Sequence, residues 1–309
     1  MRVAILGAGG VGAYYGGLLF RAGHPVQLFA RGANLEALRS SGLQVTTPEG
    51  QWQASVPATD DPAALRGAEL ALISVKSYGL GSIAPVAADL ARRGAVVLPL
   101  LNGVEAADQL QERGVPRPQI LAGLTSISVE RIAPGRVIRH SSFQRVVVGE
   151  REGGLSERAS AVAKLFTEAG VEARASAEMS LELWRKFVFI TTLAACCGMA
   201  RNALGDVRSA PLGPLLLERA VAESVAVGRA RGIGFPSDEE ARQRTAIAAL
   251  PDALRPSFLV DLERGGPTEL DILSGAVSRL GRNAGVPTTV HDTAVAVLSA
   301  ALGPKAAVA

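Results

Sequence analysis

MRVAILGAGGVGAYYGGLLF, residues 1–20, decides the fold. VAIL at 3–6 is a short apolar run without alternation, the pattern of a strand covered on both faces. Glycines follow at once, and from Val11 to about Ala22 apolar residues recur at helical spacing. A signal peptide would need a longer apolar run before its cleavage site, so the run reads as a strand. GAGGVG then fits G-x-G-x-x-G in the context that gives the pattern meaning: after a strand and at the start of a helix. Gly7 permits the tight turn, Gly9 lets backbone approach a pyrophosphate, and Gly12 lets helix and strand pack closely. With Ala8, Gly10 and Val11, these residues form a candidate dinucleotide loop whose helix N-terminus attracts the anion. A glycine-rich turn without a ligand is the competing reading.

Working outward, VQLF (26–29), LALISV (70–75) and AVVLPL (95–100) repeat the buried-strand pattern. Helical stretches at about 33–40 and 80–92 lie between them. Strands alternating with helices imply a parallel sheet of the doubly wound type. Two antiparallel pairs are expected beside it: LQVTT with WQASV, and RVIRH with RVVVG across SSFQ. A helix near 155–169 and the connector VEARASAE close this half. From Glu178 onward the chain reads as helix punctuated by glycine and proline. The expected division is a Rossmann-type α/β domain over 1–177 and an all-α domain over 178–309, the latter also the candidate dimer interface. The alanine-rich C-terminal end is expected to fray.

Composition limits the function classes. Of 309 residues, 48% are apolar and 20% charged, with a formal charge of +3, as in an ordinary globular protein. No Lys/Arg stripe with interleaved aromatics argues for nucleic acid. The apolar stretch after Lys186 ends by Ala200, a length that suits a buried helix better than a membrane span. Cys196 and Cys197 are adjacent and read as small core residues in a reducing cytoplasm. The histidines at 24, 140 and 291 are isolated in sequence, so no metal site is expected. Asp238-Glu239-Glu240 reads as acids at a helix start.

At the end of the second strand, FARGAN has Arg31 where an NAD site usually carries an acid for the ribose hydroxyl. A guanidinium there suits a 2′-phosphate, which favours NADP(H) over NAD. FAD stays possible on the loop alone, although Arg31 counts against it. Lys76 ends LALISVK and Asn102 follows AVVLPLL, placing both at the strand edge where ligands of open α/β sheets bind. A solvated strand end and an Asn-Gly turn are their bland readings. In ELWRKFVFITTLAACC (182–197), Lys186 shares a helix face with Leu183, Ile190 and Leu193. An ion pair with Glu182 or snorkelling would explain it, and so would a buried chemical role. Glu269 could be an acid at a helix start, and Ser257 an N-cap.

GAGGVG, SVK (74–76), LNGVE (101–105), ELWRK (182–186) and the pair Ser257 and Glu269 in PSFLVDLERGGPTELD together resemble the ketopantoate reductase family, in order and along nearly the whole chain. The resemblance implies an NADPH-dependent enzyme that reduces a 2-oxo acid, ketopantoate to pantoate being the family reaction. A cytoplasmic location and a homodimer are expected from the cysteines and from the helical half rich in Ala, Val and Leu. The resemblance also implies a site in a cleft between the two domains; from composition and helix length, no nucleic-acid or membrane partner is expected. The resemblance implies Lys186 as proton donor, Asn102 near nicotinamide and substrate, and Lys76 on the cofactor side. Ser257 is then a substrate-carboxylate contact, and Glu269 lies near the catalytic centre and cofactor ribose. Burial would lower the lysine's pKa and Glu269 would oppose the fall. Where family members carry pocket asparagines, this chain has Ile190, Ala194 and Leu254. That difference leaves room for a more apolar 2-oxo acid or a 3-hydroxy acid. A non-catalytic NADPH-binding regulator is the rival from another class.

Overall fold

Alternate residues of each strand in the main sheet feed two different cores. The computed structural model describes residues 1–302, so the alanine-rich end expected to fray lies outside the described residues. Elements are numbered in chain order. β1 (Val3–Leu6), β2 (Val26–Phe29), β5 (Ala58–Thr59), β6 (Leu70–Ile73) and β7 (Val96–Pro99) form a parallel sheet in the order β5-β2-β1-β6-β7. Val3, Ile5, Leu28, Leu70, Leu72 and Leu98 point into one cluster. Ala4, Leu6, Phe29, Ala71, Ile73 and Val97 point into the other. This period of two, buried on both sides, is why the strands read as unbroken apolar runs.

α1 (Gly10–Arg21) and α5 (Glu157–Glu168) cover the first face through Tyr15, Leu19, Val162 and Phe166. α3 (Leu80–Arg92) covers the second through Ile83, Ala84, Ala87 and Leu90. α2 (Gly32–Ser41) and α4 (Ala106–Glu112) complete this unit's helices. The chain leaves β1 toward β2 and later returns to the far side at β6, so the end of β1 is the switch point at which such sheets hold ligands.

A four-stranded sheet, β4-β3-β10-β9, contains the expected hairpin of β3 (Leu43–Thr47) and β4 (Gly50–Ala54). The second expected pairing is overturned. RVIRH supplies β10 (Arg136–Arg139), which lies between β3 and β9 (Val129–Ala133). RVVVG supplies β11 (Arg145–Gly149), which lies between β8 (Ala122–Ser126) and β12 (Glu172–Ala175) in a separate sheet. The tight turn at Pro134-Gly135 is the local hairpin signal that wins, and β12 occupies what read as a connector.

The helical unit comprises α6 (Met179–Ala200), α7 (Leu204–Ser209), α8 (Gly213–Ala230), α9 (Glu239–Ala248), α10 (Ser257–Arg264), α11 (Ser274–Ala284) and α12 (Thr289–Leu302). α6 is the one described helix long and apolar enough to span a membrane, yet 61% of its most apolar window is buried. Phe187 and Ala194 enter one core cluster, and Val188, Leu193, Cys196 and Cys197 another. A helix apolar on most sides is explained by that central position. Compactness divides the chain after Ser180, with Asn102–Val104 joining the helical unit.

Candidate active site

In the α/β unit the glycine loop is tight where it must be and open where a ligand would need it. Gly7 has φ +111°, and a Cβ there would lie 2.5 Å from Val75 Cγ1. A Cβ on Gly12 would lie 2.1 Å from the Gly7 carbonyl oxygen and from Ser74 Oγ. Ser74 donates to that same carbonyl at 2.9 Å. Around Gly9 there is open space. Gly9 caps α1 with no side-chain hydrogen bond, and no acid lies in the first turn. That is a fit for a pyrophosphate, which needs bare backbone and a positive helix end.

Arg31 caps α2, is exposed, and stacks its guanidinium 5.3 Å from the centroid of the Phe29 ring. A stacked, solvent-facing fork is suited to a phosphate. Lys76 does not end a strand as expected. β6 stops at Ile73, and half-buried Lys76 precedes a short 3-10 turn, its carbonyl accepting from Gly79 N–H.

The second cluster lies within the helical unit. Asn102 follows β7 by three residues but packs with this unit. Gly103, at φ +89°, allows it, because a Cβ there would stand only 3.2 Å from the Ile272 carbonyl oxygen. Lys186 Nζ donates to Asn102 Oδ1 at 3.0 Å, and Asn102 Nδ2 donates to Glu269 Oε2 at 3.2 Å. Asn102 therefore bridges the ammonium and the carboxylate. Burial lowers the Lys186 pKa to about 8, and the Glu269 charge pulls it partly back up. A lysine in this state holds a proton near neutrality yet releases it more easily than an exposed one.

Two helix-start readings are corrected. Glu269 is buried at 4% exposure, in a turn five residues ahead of α11, so the helix dipole does not account for it. Ser257 is the first residue of α10, with Pro256 as N-cap, and it is exposed. Ile190 and Ala194 pack with Trp184, Phe187 and Phe258, whereas Leu254 packs with the other helical cluster.

Three groups escaped the sequence. Glu239, which reads in sequence as a helix-start acid, is 1% exposed and accepts from Arg185 Nε at 3.0 Å and Gln243 Nε2 at 2.8 Å. Gln243 Nε2 also reaches the Arg185 carbonyl, one residue before Lys186. Asn34 bonds the glycine loop. His291, isolated in sequence, is fully buried against Ser224 and Ser274. All three depend on contacts distant in sequence; only a polar residue in the first turn of a helix, at Asn34, offered a local signal.

Comparison with known proteins gives the family. The family described as ketopantoate reductase PanE/ApbA matches residues 3–153, and its C-terminal counterpart matches 178–301. A 2-dehydropantoate 2-reductase of Halobacterium salinarum is 33% identical, covering 96% of this chain and 95% of its own. The crystal structure of a PanE/ApbA family ketopantoate reductase from Ralstonia eutropha superposes with TM-score 0.86 at 31% identity, over 96% of this chain and 97% of that one. D-mandelate dehydrogenase, solved with NADH and anilino(oxo)acetate, shares the fold at 22% identity and TM-score 0.87, over 98% of both chains. With both halves matched in order and nearly full length shared, the chain belongs to the ketopantoate reductase family of NADP-dependent oxidoreductases.

Proposed function

We propose that this protein reduces a 2-oxo acid to the 2-hydroxy acid with NADPH, Lys186 being the proton donor. The observation that carries the reading is the chain of contacts from Lys186 through Asn102 to Glu269. Gly7, Ala8, Gly9, Gly10, Val11 and Gly12 would hold the pyrophosphate and Arg31 the 2′-phosphate, with Lys76 on the cofactor side. NADPH, when bound, supplies the hydride. Lys186 hydrogen-bonds the ketone oxygen, and its charge helps more as negative charge grows there than in the ground state. Its proton then completes the alcohol. Asn102 aims the ammonium, Glu269 keeps the lysine from losing its proton too early, and Ser257 takes the substrate carboxylate.

Ketopantoate is the substrate suggested by the relatives' names. Ile190 and Ala194, apolar and packed together beside Phe258, favour a second reading in which the acid's side chain is bulkier and more apolar. An apolar wall gives weak discrimination, of about 1–3 kcal/mol per methylene, so a broad 2-oxo acid preference is expected. Loss of NADPH absorbance with ketopantoate beside branched and aryl 2-oxo acids tests both readings. Turnover of an aryl acid above ketopantoate would favour the second. Tight NADPH binding with no turnover of any acid would leave a non-catalytic binder and end the proposal.

A further inference from the structure

Asn34 lies in the first turn of α2, three residues after Arg31, and its carboxamide is used at both ends. Nδ2 donates to the Ala8 carbonyl at 3.0 Å, and Oδ1 accepts from Gly135 N–H at 2.9 Å. The two bonds dictate the amide's orientation, since a flip would oppose two acceptors and two donors. Ala8 is inside the glycine loop, immediately before the cap residue Gly9. Gly135 belongs to the turn joining β9 and β10. The same hairpin presses on the start of α1, where a Cβ on Gly10 would stand 2.9 Å from the Val129 carbonyl oxygen. A Cβ on Gly135 would stand 3.3 Å from Ala37 Cβ in α2. Loop, hairpin and α2 are thus packed on one another, and one side chain ties the loop to the other two.

We infer that Asn34 is a positioning residue for the dinucleotide. It fixes the backbone of Ala8, Gly9 and Gly10, whose N–H groups would hold the pyrophosphate, and joins that cradle to the turn carrying Arg31. Donors held in place before binding raise affinity because little ordering remains to be done. The inference rests on the NADPH reading above. Asn34 touches the loop and not the phosphate, so its removal acts on every dinucleotide alike. Arg31, by contrast, discriminates between NADPH and NADH.

The test is fluorescence titration of full-length wild type, N34A, N34D and R31A with NADPH and NADH, together with kcat and the thermal midpoint. N34D keeps the size of the side chain and the acceptor for Gly135, but turns an oxygen toward the Ala8 carbonyl. The expected result is a Kd about tenfold higher for both cofactors in N34A and N34D. Their preference for NADPH over NADH should survive, with the loss falling on Kd more than on kcat. R31A should instead lose the preference. Unchanged Kd values in N34A and N34D, a loss in N34D alone (a charge effect), or a fall in kcat at unchanged Kd would each overturn the inference. A wild type that takes up no NADPH would instead overturn the cofactor reading, and the inference with it.

Discussion

Lys186 is the residue at which sequence and structure meet most directly. A single ammonium on the apolar face of ELWRKFVFITTL asks for a partner, and that much was legible from helical spacing. The partner was not. Asn102 stands 84 residues earlier in the chain than Lys186, and Glu269 stands 167 residues after Asn102. They converge because Gly103 adopts a left-handed backbone against Ile272, a close approach that an Asn-Gly pair in sequence does not announce. The geometry yields two expectations. Lys186→Ala should lower kcat about 10²- to 10⁴-fold, the usual worth of a positioned general acid, while leaving NADPH affinity nearly intact; an equal loss in NADPH binding would show a collapsed site instead. The second concerns pH. In the proposed mechanism reduction needs the protonated lysine, so kcat/KM should fall as pH rises through about 8. Glu269 raises that pKa, so Glu269→Gln should move the falling limb to lower pH. A limb that stayed put would detach Glu269 from the lysine.

At the scale of elements, runs without alternation were readable because the central sheet is buried on both faces. VAIL, VQLF and LALI all appear as strands at their expected places. Strands such as AGLTS, VERIA and EARA were not: AGLTS is buried but mostly small or polar, VERIA and EARA are half-exposed, and none carries an apolar run. The mispaired RVIRH and RVVVG show the same limit: composition marks a strand, but partners come from the whole sheet. Helix junctions were equally hidden. His291 in α12 lies 2.9 Å from Ser224 Oγ and 3.1 Å from the Ala220 carbonyl oxygen in α8, and 3.3 Å from Ser274 Oγ in α11. Burial lowers its pKa to about 4, with the Ala220 carbonyl and Asp292 opposing. In the unfolded chain the imidazole titrates near its usual value of about 6.5. Between these two values only the unfolded state gains the proton, so stability falls as pH drops through that window and levels off below it. The loss is roughly 3 kcal/mol. Urea midpoints measured from pH 7 to 4 should decline more steeply in wild type than in His291→Gln; parallel curves would remove His291 as the cause.

The whole molecule shares its length with its relatives, at 96% of this chain against 95% and 97% of theirs. Under the proposed function, a substrate difference between this chain and these two relatives would then reside in side chains such as Ile190 and Ala194. The two units carry separate hydrophobic cores, and a chain built this way need not unfold in one step. Each unit also holds one of the two tryptophans. Trp52 in β4 sits under the Arg21 guanidinium, 4.7 Å from its ring centroid. Trp184 in α6 meets Phe187 edge-on at 5.4 Å. Trp184→Phe and Trp52→Phe therefore leave a reporter in one unit at a time. NADPH at about 100 times its Kd should stabilise whatever folds around the glycine loop by about 2.7 kcal/mol. In urea titrations the Trp52 transition should then move to higher denaturant, while the Trp184 transition moves less. Equal shifts of both would mean that the cofactor's free energy reaches the helical unit in full and that the chain unfolds as one cooperative body. A larger shift at Trp184 would place the dinucleotide on the helical unit, against the reading of GAGGVG.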